Sequence, residues 1–116
     1  MARSPTQRAG DLAEARAFDF LLAHGLLPVA RNVSSRLGEI DLIMRDGEEL
    51  VFVEVRARSR IDYGGAAASV GPAKQSRLRR EAQRWLIGRY GDRWPACRFD
   101  VCAVQPDGVD WIRGAF

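Results

Sequence analysis

The sequence predicts an α/β fold, a mixed β-sheet flanked by helices in the order α-β-β-β-α-β with a possible short final strand. Three observations lead there. Two stretches carry helix start and stop signals. Between them, short segments alternate polar and apolar residues. A further strand-like run follows the second helix. The 116 residues fit one domain.

Taken in order, residues 1–6 read as a loose terminus. Gln7 to His24 reads as a helix stopped by Gly25. Pro28–Ser34, Glu39–Arg45 and Leu50–Arg58 read as strands, and Asp46-Gly47 signals a tight hairpin between the last two. Arg60–Gly71, rich in Gly, Ala and Ser, reads as a loop. Pro72 opens a second helix that runs to about Arg89, with Pro in the first turn. Cys97–Val104 is the next strand. Pro106-Asp107-Gly108 is a turn, and Val109–Ile112 fits a short edge strand.

Composition removes several classes of function. No stretch approaches the roughly 20 apolar residues of a membrane span. Nothing at the start resembles a signal peptide, so a cytoplasmic protein without membrane contact is expected. Cys97 and Cys102 lie at an odd separation in one strand and point to opposite faces, and no further Cys or His completes a zinc site. His24 is the sole histidine and sits at a helix end, which argues against Ser-His or Cys-His chemistry. Net charge is only +3, but eight basic residues between Gly71 and Arg98 face two acids, Glu81 and Asp92. From charge alone a solvated helix face is the simpler reading, and a polyanion footprint is the alternative. Trp85, Trp94 and Trp111 are spaced as packing residues, so base reading is not supported and backbone or shape recognition is the default.

The hairpin carries the chemistry. Glu39, Asp41 and Ile43 alternate with Ile40, Leu42 and Met44; Phe52, Glu54 and Arg56 alternate with Val51, Val53 and Val55. If the valines and the Ile-Leu-Met set share the buried side, Glu39, Asp41, Glu54 and Arg56 share the other. One register pairs Arg45 with Leu50 and sets Asp41 opposite Glu54. Another pairs Glu39 with Glu54 and leaves Asp41 diagonal to it. Like charges facing each other across a sheet are destabilising. Either arginines or a divalent cation must offset them, and Asp41, Glu54 and the Val55 carbonyl are the hard oxygen donors that Mg²⁺ or Mn²⁺ prefers. On the first helix Glu14 falls on the same arc as Ala17, Phe18 and Leu21. An acid on an apolar face is unusual unless it pairs with an Arg or ligates a metal.

The runs Gly38-Glu39-Ile40-Asp41-Leu42-Ile43 and Val51-Phe52-Val53-Glu54-Val55-Arg56 resemble the YraN-like family, itself similar to Holliday-junction resolvases within the restriction-endonuclease-like PD-(D/E)xK superfamily. Tyr63-Gly64-Gly65-Ala66, Lys74-Gln75 and Arg98-Phe99-Asp100-Val101 extend the likeness over nearly the whole chain. The resemblance implies a restriction-endonuclease-like core and a metal-dependent endonuclease acting on DNA, with branched or recombination intermediates among its substrates. It implies Asp41 and Glu54 as ligands of Mg²⁺ or Mn²⁺, Glu14 as an additional ligand, and the Val55 carbonyl beside them. Arg56 stands where the superfamily has Lys; Arg cannot act as a base near neutral pH, but as the third expected catalytic residue beside Asp41 and Glu54 it orients the attacking water or contacts the phosphate. That departure keeps open a non-catalytic nucleic-acid-binding protein with an idle nuclease fold. Arg58, Lys74, Gln75 and Arg77 are the expected contacts to the nucleic-acid backbone, with Asp100 in a supporting salt bridge. Resolvase-like relatives act as dimers, so a homodimer is an expectation to test.

Overall fold

The computed structural model describes residues 4–57 and 70–116. Helix α1 (Pro5–Ala23) is followed by strands β1 (Leu27–Ser35), β2 (Gly38–Asp46) and β3 (Glu49–Ala57). Helix α2 (Pro72–Tyr90), β4 (Cys97–Gln105) and β5 (Gly108–Ile112) complete the chain. The α/β expectation holds, and the short final strand is present. The sheet order is β1-β2-β3-β4-β5. Among the described strands only the β3–β4 pairing is parallel, and α2 lies in the crossover between those strands, as a parallel connection requires. Of the two helices described, neither is long and apolar enough to cross a membrane.

The first helix starts earlier than Gln7 because of a local signal. Ser4 accepts the Gln7 N–H while the Gln7 side chain accepts the Ser4 N–H, a capping box with Pro5 in the first turn. Residues 4–6 therefore belong to the helix and its cap rather than to a loose terminus.

The sheet is buried on both faces. Ala13, Ala17 and Leu21 of α1 pack on Leu42, Met44, Val51 and Val53. Leu78, Ala82 and Leu86 of α2 pack on Ile40, Ile43, Phe52 and Val101. Cys102 joins the first cluster and Cys97 packs against the second, so the thiols do face opposite ways, and both are free. Ile40 departs from the expected Ile-Leu-Met face: it packs under α2, on the same side as Ile43, although the two stand an odd number of residues apart. Strict alternation is thus broken within Ile40–Ile43, the segment that contains Asp41.

The hairpin takes the register that pairs Arg45 with Leu50, closing through Gly47 and Glu48 between the paired Asp46 and Glu49. Gly47 has φ +62, the conformation that a two-residue turn needs at its first central position. At the other end of β2, Gly38 meets α2 at close range: a Cβ there would lie 2.8 Å from the Arg77 carbonyl oxygen. Only glycine lets the strand and the helix approach this far, and the approach sets α2 over the end of the sheet that carries the acids.

Candidate active site

Three irregularities coincide at Asp41. The β2–β3 ladder runs from Asp46–Glu49 to Leu42–Val53. One residue further, the Asp41 carboxylate takes the place of a backbone acceptor, receiving the Val55 N–H at 2.8 Å. On the other side, Asn32 falls between the pairs Arg31–Leu42 and Val33–Ile40 and has φ +53. Among the described residues it is the only non-glycine with positive φ, a conformation that Asn tolerates better than most residues. The register continued by one step sets Asp41 opposite Glu54.

Two polar clefts meet at this point. The larger, about 380 Å³, lies on the α2 side and is lined by Ser34, Ser35, Asp41, Glu54, Lys74 and Arg77 among others. A smaller one of about 260 Å³ lies toward α1, where Glu14, Asn32, Asp41 and Val55 contribute. Glu39 and Asp41 border both.

The electrostatics are uneven. Asp41 is pushed up to about 7 from 3.8, first by burial and then by the Glu54 charge. Glu14 and Glu39 add to the push, and the Val55 N–H opposes it. Glu54 is buried but has cations: the Lys74 Nζ lies 2.8 Å from its Oε1 and an Arg56 nitrogen 3.7 Å from the same atom. Glu14 is raised by burial, against the pull of Arg31 at 3.7 Å and a hydrogen bond with Asn32. Of the two sequence readings of Glu14, the pairing with an Arg is present, and its charge adds to the push on Asp41.

The donor set fits a hard divalent cation. Asp41 and Glu54 supply carboxylate oxygen, and Asp41 is pushed up by burial first and by the Glu54 charge second. A residue's N–H and C=O point to the same side of a strand, so the Val55 carbonyl faces the same gap as its N–H. Among the described residues no group of three or more Asp, Glu, His or Cys converges as a ready ligand set. Glu14, expected as an additional ligand, does not complete such a group in this arrangement. Two carboxylates with water and substrate oxygens are a sufficient shell for Mg²⁺.

The predicted nucleic-acid contacts fare differently. Lys74 and Arg77 line the larger cleft. Gln75 turns away to donate to the Val70 carbonyl at 2.8 Å, which secures the entry to α2. Arg58 and the Tyr63-Gly64-Gly65 stretch lie outside the described residues. Asp100 is structural, as expected, and Arg98 is its ionic partner. The sequence reading missed Ser34, Ser35 and Asn32. An Asn inside a strand, where it is disfavoured, was a usable signal for Asn32; nothing marked the serines, which reach the cleft from the end of β1.

A family model described as "Uncharacterised protein family UPF0102" matches residues 13–104. The chain belongs to this family. The match begins just before Glu14 and ends in β4, so it spans every acid of the site. A UPF0102 protein of Bordetella parapertussis is 52% identical over 97% of this chain and 66% of its own length. One from Alkalilimnicola ehrlichii is 48% identical over 99% of this chain and 91% of its own. One from Ralstonia nicotianae is 53% identical over 92% and 85% respectively. The chain therefore spans about two thirds of the first of these relatives and most of the other two.

Proposed function

We infer that this UPF0102 protein is a metal-dependent endonuclease that hydrolyses phosphodiester bonds in DNA, branched or recombination intermediates included. The observation that carries the reading is the Asp41–Glu54 pair, set where β2 and β3 part and bordering a polar cleft rimmed by Lys74 and Arg77. Such a pair is costly to a sheet, and a cation-binding role accounts for it. Asp41 and Glu54 would hold Mg²⁺ or Mn²⁺ with the Val55 carbonyl. The ion, when bound, supplies Lewis acidity at the phosphate and a more acidic water. In the hydrolysis a water oxygen forms the new P–O bond, the P–O3′ bond breaks, and the proton given up by the water to solvent is balanced by one taken from solvent by the leaving O3′, which departs as a hydroxyl. Arg77 at the cleft rim and the first turn of α2 suit the flanking phosphates.

A non-catalytic nucleic-acid-binding role is the second reading. It is favoured by Arg56 in place of Lys and by the cations already on Glu54. Purified protein incubated with single-stranded, duplex, flap and four-way-junction DNA in Mn²⁺, Mg²⁺ or EDTA separates the two. Cleavage that requires metal and disappears in Asp41→Asn and Glu54→Gln is the expected result. Salt-dependent DNA binding without cleavage would transfer the assignment to the second reading.

A further inference from the structure

Lysine occurs once in this sequence, at position 74; the other seventeen basic residues are arginines. That single ammonium lies 2.8 Å from the Oε1 of Glu54. It comes from the first turn of α2, not from the strand that carries Glu54. The Arg56 guanidinium, two residues after Glu54 on β3, reaches the same oxygen only at 3.7 Å. Lys74 also lines the cleft shared by Asp41 and Glu54. Its placement is fixed from two directions. Gly38 admits the α2 backbone to contact with β2. The buried Glu81, bonded to Ser35 and Arg84, ties the same helix to the end of β1.

We propose that Lys74 is the catalytic lysine of the site, contacting the scissile phosphate in place of a strand lysine at position 56. This rests on the endonuclease reading above. A compact ammonium with three donors can turn from the Glu54 carboxylate to a non-bridging oxygen of a phosphate seated in the cleft, following the charge that develops there during attack. The planar fork of Arg56 suits a fixed carboxylate or flanking phosphate better than a moving charge. The contribution of Lys74 is charge and hydrogen bonding at the reacting phosphate, whereas a grip on the flanking backbone would act on affinity alone.

The single lysine makes the test selective. Reductive methylation with ¹³C-formaldehyde labels only Lys74 and the α-amine, and preserves both charges. In the full chain, Mn²⁺ should broaden the Lys74 resonance and leave the α-amine sharp, and Asp41→Asn should abolish the effect. A sharp Lys74 signal at Mn²⁺ concentrations that saturate the protein places the ammonium away from the carboxylate pair and overturns the proposal. Lys74→Met should lower the metal-dependent cleavage rate at saturating DNA at least 100-fold while junction-DNA affinity in Ca²⁺ changes less than about 3-fold. Arg56→Lys, added to Lys74→Met, should restore at least a tenth of the lost rate. If Lys74→Met cleaves as the wild type does, Lys74 has no catalytic role and the endonuclease reading stands without it. A loss of junction-DNA affinity with the rate at saturating DNA unchanged reduces Lys74 to a backbone contact. If the wild-type chain cleaves no DNA, the endonuclease reading fails and this proposal falls with it.

Discussion

Asp41 on β2 and Asp100 on β4 are both aspartates inside the same sheet, but their surroundings are opposite in kind. Asp100 is completely buried and amply supplied with donors. It accepts from the Arg98 Nε at 3.0 Å, the Trp111 indole N–H at 2.9 Å and the Gly114 backbone N–H at 2.9 Å. Arg98 in turn bridges Asp46 and Glu49, so one guanidinium ties the β2–β3 hairpin to β4. Asp41 has one backbone donor and three acidic neighbours. A buried polar group without enough partners costs free energy, and a fold keeps one where it serves something other than stability. The contrast separates a carboxylate that holds the sheet together from one available to bind.

The largest effect expected from breaking this contrast is on the Asp100 side. Asp100→Ala leaves the Arg98 guanidinium without its fully buried partner and two further donors, the Trp111 indole N–H and the Gly114 N–H, unsatisfied. Loss of one member of a buried pair costs about 3–5 kcal/mol. Urea unfolding should show the midpoint falling at unchanged slope. A loss under about 1 kcal/mol would mean that the network does not hold the hairpin to β4.

Asp41 should behave the other way. Its folded-state value is raised to about 7 from 3.8, so the folded chain binds a proton that the unfolded chain releases. That stability is fully present below about pH 4 and is lost as pH rises through 7. A shift of this size sets a ceiling of about 4 kcal/mol. In metal-free buffer at pH 8, Asp41→Asn should therefore unfold at a higher temperature than the wild type, with the advantage shrinking toward pH 4. The Asn carbonyl still accepts the Val55 N–H, so no hydrogen bond is lost. An Asn variant no more stable at pH 8 than at pH 4 would show that the charge is already compensated.

A bound ion should supply what Asp41 lacks. At 100 times its dissociation constant, Mn²⁺ should add about 2.7 kcal/mol to the wild type and little to Asp41→Asn, read as a metal-dependent shift in Tm. Equal shifts in the two proteins would place the metal elsewhere. Gly38→Ala is expected to cost about 1–3 kcal/mol, the range for overpacking, because the new Cβ meets the Arg77 carbonyl oxygen at 2.8 Å. It should also lift α2 from the cleft and weaken Mn²⁺ stabilisation; full metal response in a destabilised variant would show that the helix position does not matter to the site.

Much of this arrangement was legible in the sequence. Polar–apolar alternation located β2 and β3, and the Asp46-Gly47 signal brought them together, because both depend on neighbours close in the chain. That Asp41 and Glu54 share a side followed from the same arithmetic. The Ile40 reversal did not follow, since it depends on how β1 twists at Asn32. Lys74 was read as a backbone contact because its distance to Glu54 is set by a long crossover and by the Gly38–Arg77 approach, neither of which has a local signature. The Gln75 bond to the Val70 carbonyl was not legible for a related reason: its side chain serves the turn into α2, which only the folded path reveals.

Glu14 gives the smallest expected effect and decides where the site ends. It sits on α1 between Arg31 and the Asp41 cleft, raised by burial and held down by that arginine. If it only shapes the field around Asp41, Glu14→Gln should weaken Mn²⁺ binding less than about 10-fold, about 1.4 kcal/mol. The loss should be smaller still at high salt, because Glu14 and Arg31 are both partly solvent-exposed. If α1 moves to complete the shell when the ion enters, the loss should exceed 10-fold and resist salt, since a ligand bond is not screened. Calorimetric titration of Mn²⁺ into Glu14→Gln at two ionic strengths distinguishes the cases. The pairing with Arg31 favours the smaller, salt-sensitive loss, which would confine the proposed metal-binding side chains to β2 and β3.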